Sequence, residues 1–274
     1  MCMQRKQKWS GAVFAALVLC AGTAARAQDA NATAGRTQPA IMPKDVDPDW
    51  EVVTVRQSDP NKSEATFDVR GRHIIIGNRT VETMLLLAYG LQKNQIIGGP
   101  DWVRTQHFDA DGIPNVEGQP SLDQFRGMLR KLLLERFGLK IHMEQRELLV
   151  YALTVAKGGP TMTKSKAAPD APQGDSDSQS GGQRSIKMTN ATMKGFALEL
   201  LYNTDRPVVD QTRLTDRYDF TLKWTYDDSK VLSDGASAPS LFTAIQEQMG
   251  LKLDAVKAKT NVLLIDQAER PDAN

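Results

Sequence analysis

The sequence predicts an α+β protein, built as two related strand-helix-strand-strand-helix-strand-strand units that are joined by a disordered loop. Three observations predict it. Short amphipathic helical patterns alternate with pairs of short apolar strands, as is typical of α+β folds. Helix-starting and helix-ending signals recur at a constant distance along the chain. A polar segment rich in Ser, Gly, Asp and Pro separates the two sets of elements.

The first 27 residues have the features of a secretory signal peptide. Three basic residues precede an apolar stretch over 10–25, and Ala25-Arg26-Ala27 forms an A-x-A cleavage site. Cleavage after Ala27 would place the protein in the periplasm or outside the cell. It would also remove both cysteines, Cys2 and Cys20, so we expect no disulfide in the mature chain.

Two segments are polar and lack an apolar period, and they are predicted to be disordered. The first is the N-terminal segment 28–48, and the second is the linker 161–184. The expected folded units are therefore residues 49–160 and residues 185–274.

Matched signals on the two sides of the linker indicate an internal duplication. Asn78 and Asn190 each begin a helical pattern, 112 residues apart. Gly138 and Gly250 follow the second helix of each unit, again 112 apart, and glycine at this position is the expected left-handed stop.

Other features of the two units match in the same order. Asp109 and Asp219 each follow an aromatic residue in a short predicted strand, and Ser121 and Ser240 each begin a second helix. The leading strand at 50–55 finds no counterpart in the linker.

The stretch Gly98-Gly99-Pro100-Asp101-Trp102 is the candidate binding site. Gly-Gly-Pro favours a tight turn with positive φ, after which Trp102 could cover a pocket or a partner surface. In the alternative interpretation the indole fills the core. Leu214 takes the place of Trp102 in the second unit, which favours packing.

The sequence contains no recognisable catalytic or metal-binding pattern. Asp109 and Asp219 could form a carboxylate pair for glycoside hydrolysis, but their matched positions favour one structural role that is repeated. The three histidines have no zinc-protease spacing. We therefore predict no catalytic residue, no metal and no cofactor. The basic residues Arg126 and Arg130 on the first long helix are interpreted as solvent-exposed charge.

The charge balance indicates which partners to expect. Four of the 34 basic residues lie in the predicted signal peptide, against none of the 33 acidic residues, so the mature chain is mildly acidic. We therefore expect no nucleic-acid partner. No later stretch is apolar over the eighteen residues that a membrane span needs at the least.

Several segments together resemble a family of exported proteins of soil acidobacteria that occur as many paralogues of unknown function. The most specific are GGPDW, LLVYALTVAKGGP and RYDFTLKW, and the resemblance extends over about residues 49–272. It implies a Gram-negative, extracytoplasmic setting. Some members look like the outer segment of membrane peptidases of the β-lactam-sensor type. The resemblance brings no catalytic residues with it. The order of elements also looks like that of the short N-terminal domains of secretins and TonB-dependent receptors.

These observations lead us to expect a non-enzymatic recognition protein of the bacterial cell envelope, whose partner is an envelope protein or a glycan. A hydrolase acting on envelope or extracellular glycan or peptide is the alternative, and a purely structural envelope component is a third interpretation. The binding surface is expected at a sheet edge, at the GGPDW turn or between the units.

Overall fold

The structure, a computed structural model, describes residues 40–272 except 62, 71, 169–170, 172, 181 and 226–238. The predicted signal peptide lies outside the described residues. The chain divides into two compact units. The larger unit contains residues 40–152, 197–209 and 254–272, and the smaller unit contains residues 153–196 and 210–253. These boundaries differ from the predicted 49–160 and 185–274, because each unit takes segments from separate parts of the chain.

The larger unit is built on an antiparallel sheet with the strand order β1-β5-β3-β2. Its strands are β1 (Trp50–Gln57), β2 (Thr66–Arg70), β3 (His73–Thr80) and β5 (His107–Pro114). Its helices are α1 (Val81–Tyr89), α2 (Trp102–Thr105) and α3 (Leu122–Arg136). A 3₁₀ turn, Lys93–Gln95, precedes the short strand β4 (Ile96–Gly98).

The core of this unit lies between the sheet and the helices α1 and α3. α3 buries one face because its apolar residues recur three and four positions apart; they are Phe125, Met128, Leu129, Leu132 and Leu133. The helix begins with a capping box in which Ser121 and Gln124 exchange hydrogen bonds.

A further sheet, with the order β10-β6-β12-β4, belongs mostly to the larger unit. Its strands besides β4 are β6 (Lys140–Val155), β10 (Val208–Asp210) and β12 (Leu251–Gln267). β4 pairs with β12 in parallel, with Ile96 beside Leu263.

The segment that precedes β1 is packed against α3, so the prediction of disorder over 28–48 was wrong for residues 40–48. Met42 is only 2% exposed. The side-chain amide of Gln124 donates to the carbonyls of Pro43 and Val46 at 2.7 and 3.0 Å. Lys131 forms an ion pair with Asp47 at 3.0 Å. These contacts depend on a distant helix, and therefore local composition did not reveal them.

The smaller unit has its own antiparallel sheet, with the order β7-β11-β9-β8. Its strands are β7 (Thr163–Lys164), β8 (Gly174–Ser180), β9 (Gln183–Ala191) and β11 (Tyr218–Thr225). α4 (Met193–Leu200) begins in this unit, and α5 (Leu241–Met249) packs against β11. The buried residues of the unit include Ile186, Met188, Phe196, Leu222, Trp224 and Ile245.

The predicted disorder over 161–184 was wrong for the residues of β7 and β8. All seven residues of β8 pair with β9, although its side chains are polar and mostly exposed. The composition of this segment therefore reflects solvent exposure at the edge of a sheet. β7 pairs with Tyr218 and Asp219, and the end of β1 pairs with Phe108 and Asp109.

No helix among the described residues is both long enough and apolar enough to cross a membrane.

Replacement of Met42 tests whether the segment before β1 is part of the fold. We expect Met42→Ala to lower the free energy of unfolding by about 2 kcal/mol, because a buried side chain is lost. The measurement is urea unfolding monitored by circular dichroism. The neighbouring substitution Ile41→Ala is the control, since Ile41 is 77% exposed and should change stability little. Equal effects of the two substitutions would contradict the packing of this segment.

Candidate functional site

In the GGPDW turn, the backbone passes close to β12. Gly98 and Gly99 have φ values of 78° and 73°, which favour glycine. A Cβ atom at Gly98 would lie 2.9 Å from the carbonyl oxygen of Ile265, and one at Gly99 would lie 3.1 Å from the Ile265 side chain. Both glycines are therefore required by packing. Pro100 and Asp101 follow them and lead into α2, and the Asp101 side chain makes no capping hydrogen bond.

Trp102 packs at the margin of the core. Its ring centroid lies 6.1 Å from that of Phe108 and 6.4 Å from that of Phe137. The guanidinium of Arg270 lies over the indole, 5.4 Å from the centroid. The surroundings of Trp102 thus match the packing interpretation of this turn.

Asp109 holds a bulge in the larger sheet. Its side chain is largely buried, and Oδ1 accepts hydrogen bonds from the Ser58 hydroxyl at 2.7 Å and from the Asn78 backbone N–H at 2.9 Å. Asn78 has a φ of 54°, and the register between β3 and β5 shifts at this point. The carboxylate therefore stabilises a left-handed residue that turns the chain into α1.

Asp219 has the same relation to Asn190 in the smaller unit. Its Oδ1 accepts the Asn190 backbone N–H at 2.7 Å, and Asn190 has a φ of 51°. The Arg217 guanidinium donates to the Asn190 carbonyl at 2.9 Å. Each aspartate thus supports one bulge in its own unit.

The two glycines at the ends of the second helices have the left-handed conformation expected of a helix stop. The φ value is 49° at Gly138 and 64° at Gly250. A Cβ atom at Gly250 would lie 2.0 Å from the Gly159 carbonyl oxygen, so this position also requires glycine for space.

The basic residues of α3 are not simply solvent-exposed, as the sequence had suggested. Arg126 donates to the Leu87 carbonyl at 3.2 Å, and Arg130 donates to the Ala88 carbonyl at 3.0 Å. Both carbonyls belong to the last turn of α1, where the helix leaves acceptors without an intrahelical donor. The two arginines therefore cap α1.

His142 lies between two carboxylates on the exposed surface of the larger unit. Its Nδ1 is 2.8 Å from Asp266, and its Nε2 is 3.2 Å from Glu144. The hydrogen bond to Asp266, and then that to Glu144, raises the pKa of His142. Among the described residues, no group of three potential ligands is placed to hold a metal ion.

Among the described residues, the three sheets end in six edge strands, and five of these are short or polar. β4 and β10 have three residues each, and β7 has two. β8 is polar and carries Asp175 and Asp177. On β2, the Val69 N–H is occupied by the carboxylate of Asp68 at 2.9 Å. Short length and charge are the usual protections of a sheet edge.

The sixth edge strand, β1, carries charge only near its two ends, at Glu51 and Arg56. It is eight residues long, and Val52, Val53, Thr54 and Val55 form a β-branched run in its middle. Val52 is 53% exposed. The strand is held firmly, since the Trp50 indole donates to the Met128 carbonyl of α3 at 2.9 Å. Its outer edge is long enough to pair with another strand.

The pairing of β1 shows which of its backbone groups face outwards. The Ser58 N–H donates to the His107 carbonyl at 2.9 Å in register with the rest of the pair. Hydrogen-bonded positions alternate in antiparallel pairs, so Ser58, Arg56, Thr54 and Val52 bond to β5. The N–H and C=O groups of Val53, Val55 and Gln57 point away from β5. Within the part of the chain that the structure describes, they have no backbone partner.

An open depression lies at the C-terminal end of this edge. It is lined by Arg56, Gln57, Ser58, Asp59, Pro60 and Asp109. The Arg56 side chain is 76% exposed and reaches the Asp109 carboxylate at only 3.5 Å, so its guanidinium can accept a further anionic partner. Sequence reasoning expected an available sheet edge without locating it. The sequence around β1 is an apolar strand pattern followed by Arg-Gln-Ser-Asp-Pro. Nothing in it indicated that one edge of the strand would have no neighbouring strand.

The fold and the site together define an α+β protein of two compact units, in which β1 forms an eight-residue sheet edge. The family model described as a protein of unknown function (DUF3738) matches residues 82–268, and the chain belongs to this family. No curated protein and no solved structure matches the chain.

Replacement of Trp102 separates packing from partner binding at the GGPDW turn. We expect Trp102→Ala to lower the free energy of unfolding by about 3 kcal/mol, because the ring supports Phe108 and Phe137. Trp102→Phe, which keeps an aromatic ring, should cost clearly less. The measurement is chemical unfolding. A loss well below about 1 kcal/mol for Trp102→Ala would assign the ring to a binding surface instead.

The His142 cluster gives a prediction about pH. NMR titration should give His142 a pKa above the ordinary value of about 6.5, and Asp266→Asn should lower it. Because the folded pKa is raised, the stabilising contribution is complete below about pH 6.5. It is lost as the pH rises through the raised value. An unchanged His142 titration in Asp266→Asn would contradict the observed hydrogen bond.

Proposed function

We propose that this protein is a recognition protein that binds an extended polypeptide by adding it as a strand to the free edge of β1. The observation that carries the proposal is the outward orientation of the backbone groups of Val53, Val55 and Gln57. Strand addition obtains its affinity from such main-chain groups and its specificity from alternate side chains.

The side chains along the edge indicate the chemistry of the partner. An added strand would place β-branched or aromatic residues beside Val52 and Thr54, which favour such cross-strand neighbours. Its end would reach the depression, where the exposed Arg56 guanidinium favours a carboxylate. We therefore propose a partner segment with alternating apolar residues and an acidic residue near its end.

The proposed setting is the cell envelope. The predicted signal peptide over 1–27 supports export, and the resemblance to exported acidobacterial proteins supports a periplasmic or secreted location. An envelope protein suits the edge better than a glycan does, because an added strand supplies matched N–H and C=O groups.

We also propose that the two units arose by internal duplication. The sheets share one strand order, β1-β5-β3-β2 and β7-β11-β9-β8. Ile76 pairs with Ala110 as Met188 pairs with Phe220. Each pair is followed by a bulge with a left-handed Asn.

The hydrolase alternative receives less support. Asp109 and Asp219 are the carboxylates that it would use, and each of them accepts a backbone N–H within its own unit. Such a contact is a sufficient structural reason for a carboxylate.

Amide exchange in the wild-type protein tests the edge directly. We expect the amides of Val53, Val55 and Gln57 to exchange fast in the free protein, while those of Thr54 and Arg56 exchange slowly. A peptide selected by display against the protein should protect the fast set, because an added strand bonds only to outward groups. Slow exchange of Val53 and Val55 in the free protein, or binding that leaves them unprotected, would overturn the proposal.

The substitution Val53→Pro tests the contribution of one donor. It removes an outward N–H and leaves the bonds to β5 in place, as proline does when it is tolerated on an edge strand. We expect selected peptides to bind about tenfold more weakly, the effect of about one hydrogen bond. Val53→Ala is the matched control, because it also removes the partly buried Val53 side chain but keeps the N–H donor. Equal affinities for the two variants would contradict backbone recognition.

A further inference from the structure

The sheet of the smaller unit lacks most of a strand that the sheet of the larger unit possesses. In the larger unit, β1 covers β5 along seven registered positions. In the smaller unit, β7 occupies the corresponding edge of β11 but pairs only with Tyr218 and Asp219. The rest of that edge, from Phe220 to Thr225, has no strand beside it among the residues that the structure describes.

The reason for the short strand is the path of the chain before it. The Ala156 N–H donates to the Gly250 carbonyl at 2.9 Å, and the Thr161 N–H donates to the Met249 carbonyl at 3.0 Å. The Thr161 hydroxyl also donates to the Gln248 carbonyl at 2.9 Å. These contacts hold residues 156–161 at the end of α5, so they cannot extend along β11.

A glutamine side chain occupies part of the vacant edge. The Lys223 N–H donates to the Gln248 Oε1 at 3.0 Å, and the Gln248 Nε2 donates to the Lys223 carbonyl at 2.8 Å. A primary amide thus reproduces the paired donor and acceptor of one residue in a neighbouring strand. Both residues are exposed, so an incoming strand can displace Gln248, at the modest net cost of these two hydrogen bonds.

The backbone N–H and C=O groups of successive β11 residues point alternately towards and away from β9, and this alternation shows which groups face an incoming strand. Lys223 bonds away from β9, so Thr221, two residues earlier, also directs its N–H and C=O outwards. Among the described residues, Thr221 has no backbone partner on that side. Thr221 and Lys223, two successive residues with outward-facing backbone groups, can therefore pair with an added strand once the Gln248 side chain withdraws.

We infer that the β11 edge is a second strand-acceptor site, which is closed by Gln248 and takes an extended polypeptide with a carboxylate opposite Lys223. The positive charge on the outer face of the sheet favours a partner with an acidic residue. Lys187 and Lys223 are exposed there, and the residues beside them on neighbouring strands are Ser176, Ser185 and Thr221. An acidic side chain directly opposite Lys223 would form a cross-strand ion pair. The inference does not depend on the proposed role of β1.

The strand pairing in the two sheets has the same register, and this register determines the sequence of a peptide that tests the site. Val52 of β1 pairs with Ile113, which corresponds in the larger sheet to Lys223. A synthetic peptide with the sequence of residues 49–55, which stops before the positions that β7 occupies, and with the change Val52→Glu would place its carboxylate opposite Lys223. The same peptide with Val52→Lys is the charge control.

The experiment compares the full-length mature protein with its Gln248→Ala variant. We expect the acidic peptide to bind the variant about tenfold more tightly than the wild type, because no amide must be displaced. It should protect the Thr221 amide from exchange, while the lysine peptide binds more weakly. Lys223→Glu should reverse the preference between the two peptides, and this reversal distinguishes the site from a general loss of stability.

Three results would overturn the inference. The first is slow exchange of the Thr221 amide in the free protein. The second is equal affinity of the wild type and Gln248→Ala for the acidic peptide. The third is self-association of Gln248→Ala, which would make a second copy of the chain the occupant. Protection of Val53 and Val55 in place of Thr221 would show that the peptide uses β1. Amide exchange thus reports peptide binding at the β1 edge and at the β11 edge separately.

Discussion

The carboxylate of Asp109 accepts the backbone N–H of Asn78, and the arrangement of the larger sheet follows from this contact. A left-handed asparagine inside a strand is unfavourable without such support. Once it is stabilised, β3 bulges and the chain turns directly into α1, where the Thr80 side chain accepts the Thr83 N–H. The same contact occurs between Asp219 and Asn190 in the smaller unit. Each bulge sets the register of its central strands, and through that register it determines which backbone groups reach the edges.

The edges are where the two sheets differ. The chain protects most of them by shortness, by charge or by a side chain that imitates a strand, as Gln248 does beside Lys223. Such protection prevents uncontrolled pairing between sheets. β1 is eight residues long with charge only near its ends, and it is anchored to α3 through Trp50. An edge whose outward groups already have the strand conformation loses little entropy when a partner strand is added.

Membership of a family of unknown function leaves the site itself as the guide to function. The GGPDW turn, which is the most distinctive sequence in the chain, brings the backbone close to β12 and directs Trp102 toward Phe108 and Phe137. Packing explains Gly98, Gly99 and Trp102. The ordinary-looking strand β1 carries the available donors and acceptors instead, so unusual composition and available binding groups occur at different places.

The sequence by itself determined the class of fold, the starts and stops of the helices, and the positions where glycine is required. Those features depend on neighbours within a few residues, as in the capping box of Ser121 and Gln124 or the stop at Gly250. It did not determine that residues 40–48 pack on α3, that β7 and β8 pair inside a polar segment, or which edge remains free. These outcomes depend on partners far away in the chain, such as Gln124 for Pro43 and β9 for β8. A polar strand at an edge and a polar loop have the same composition, and only the tertiary structure decides whether the backbone groups meet water or another strand.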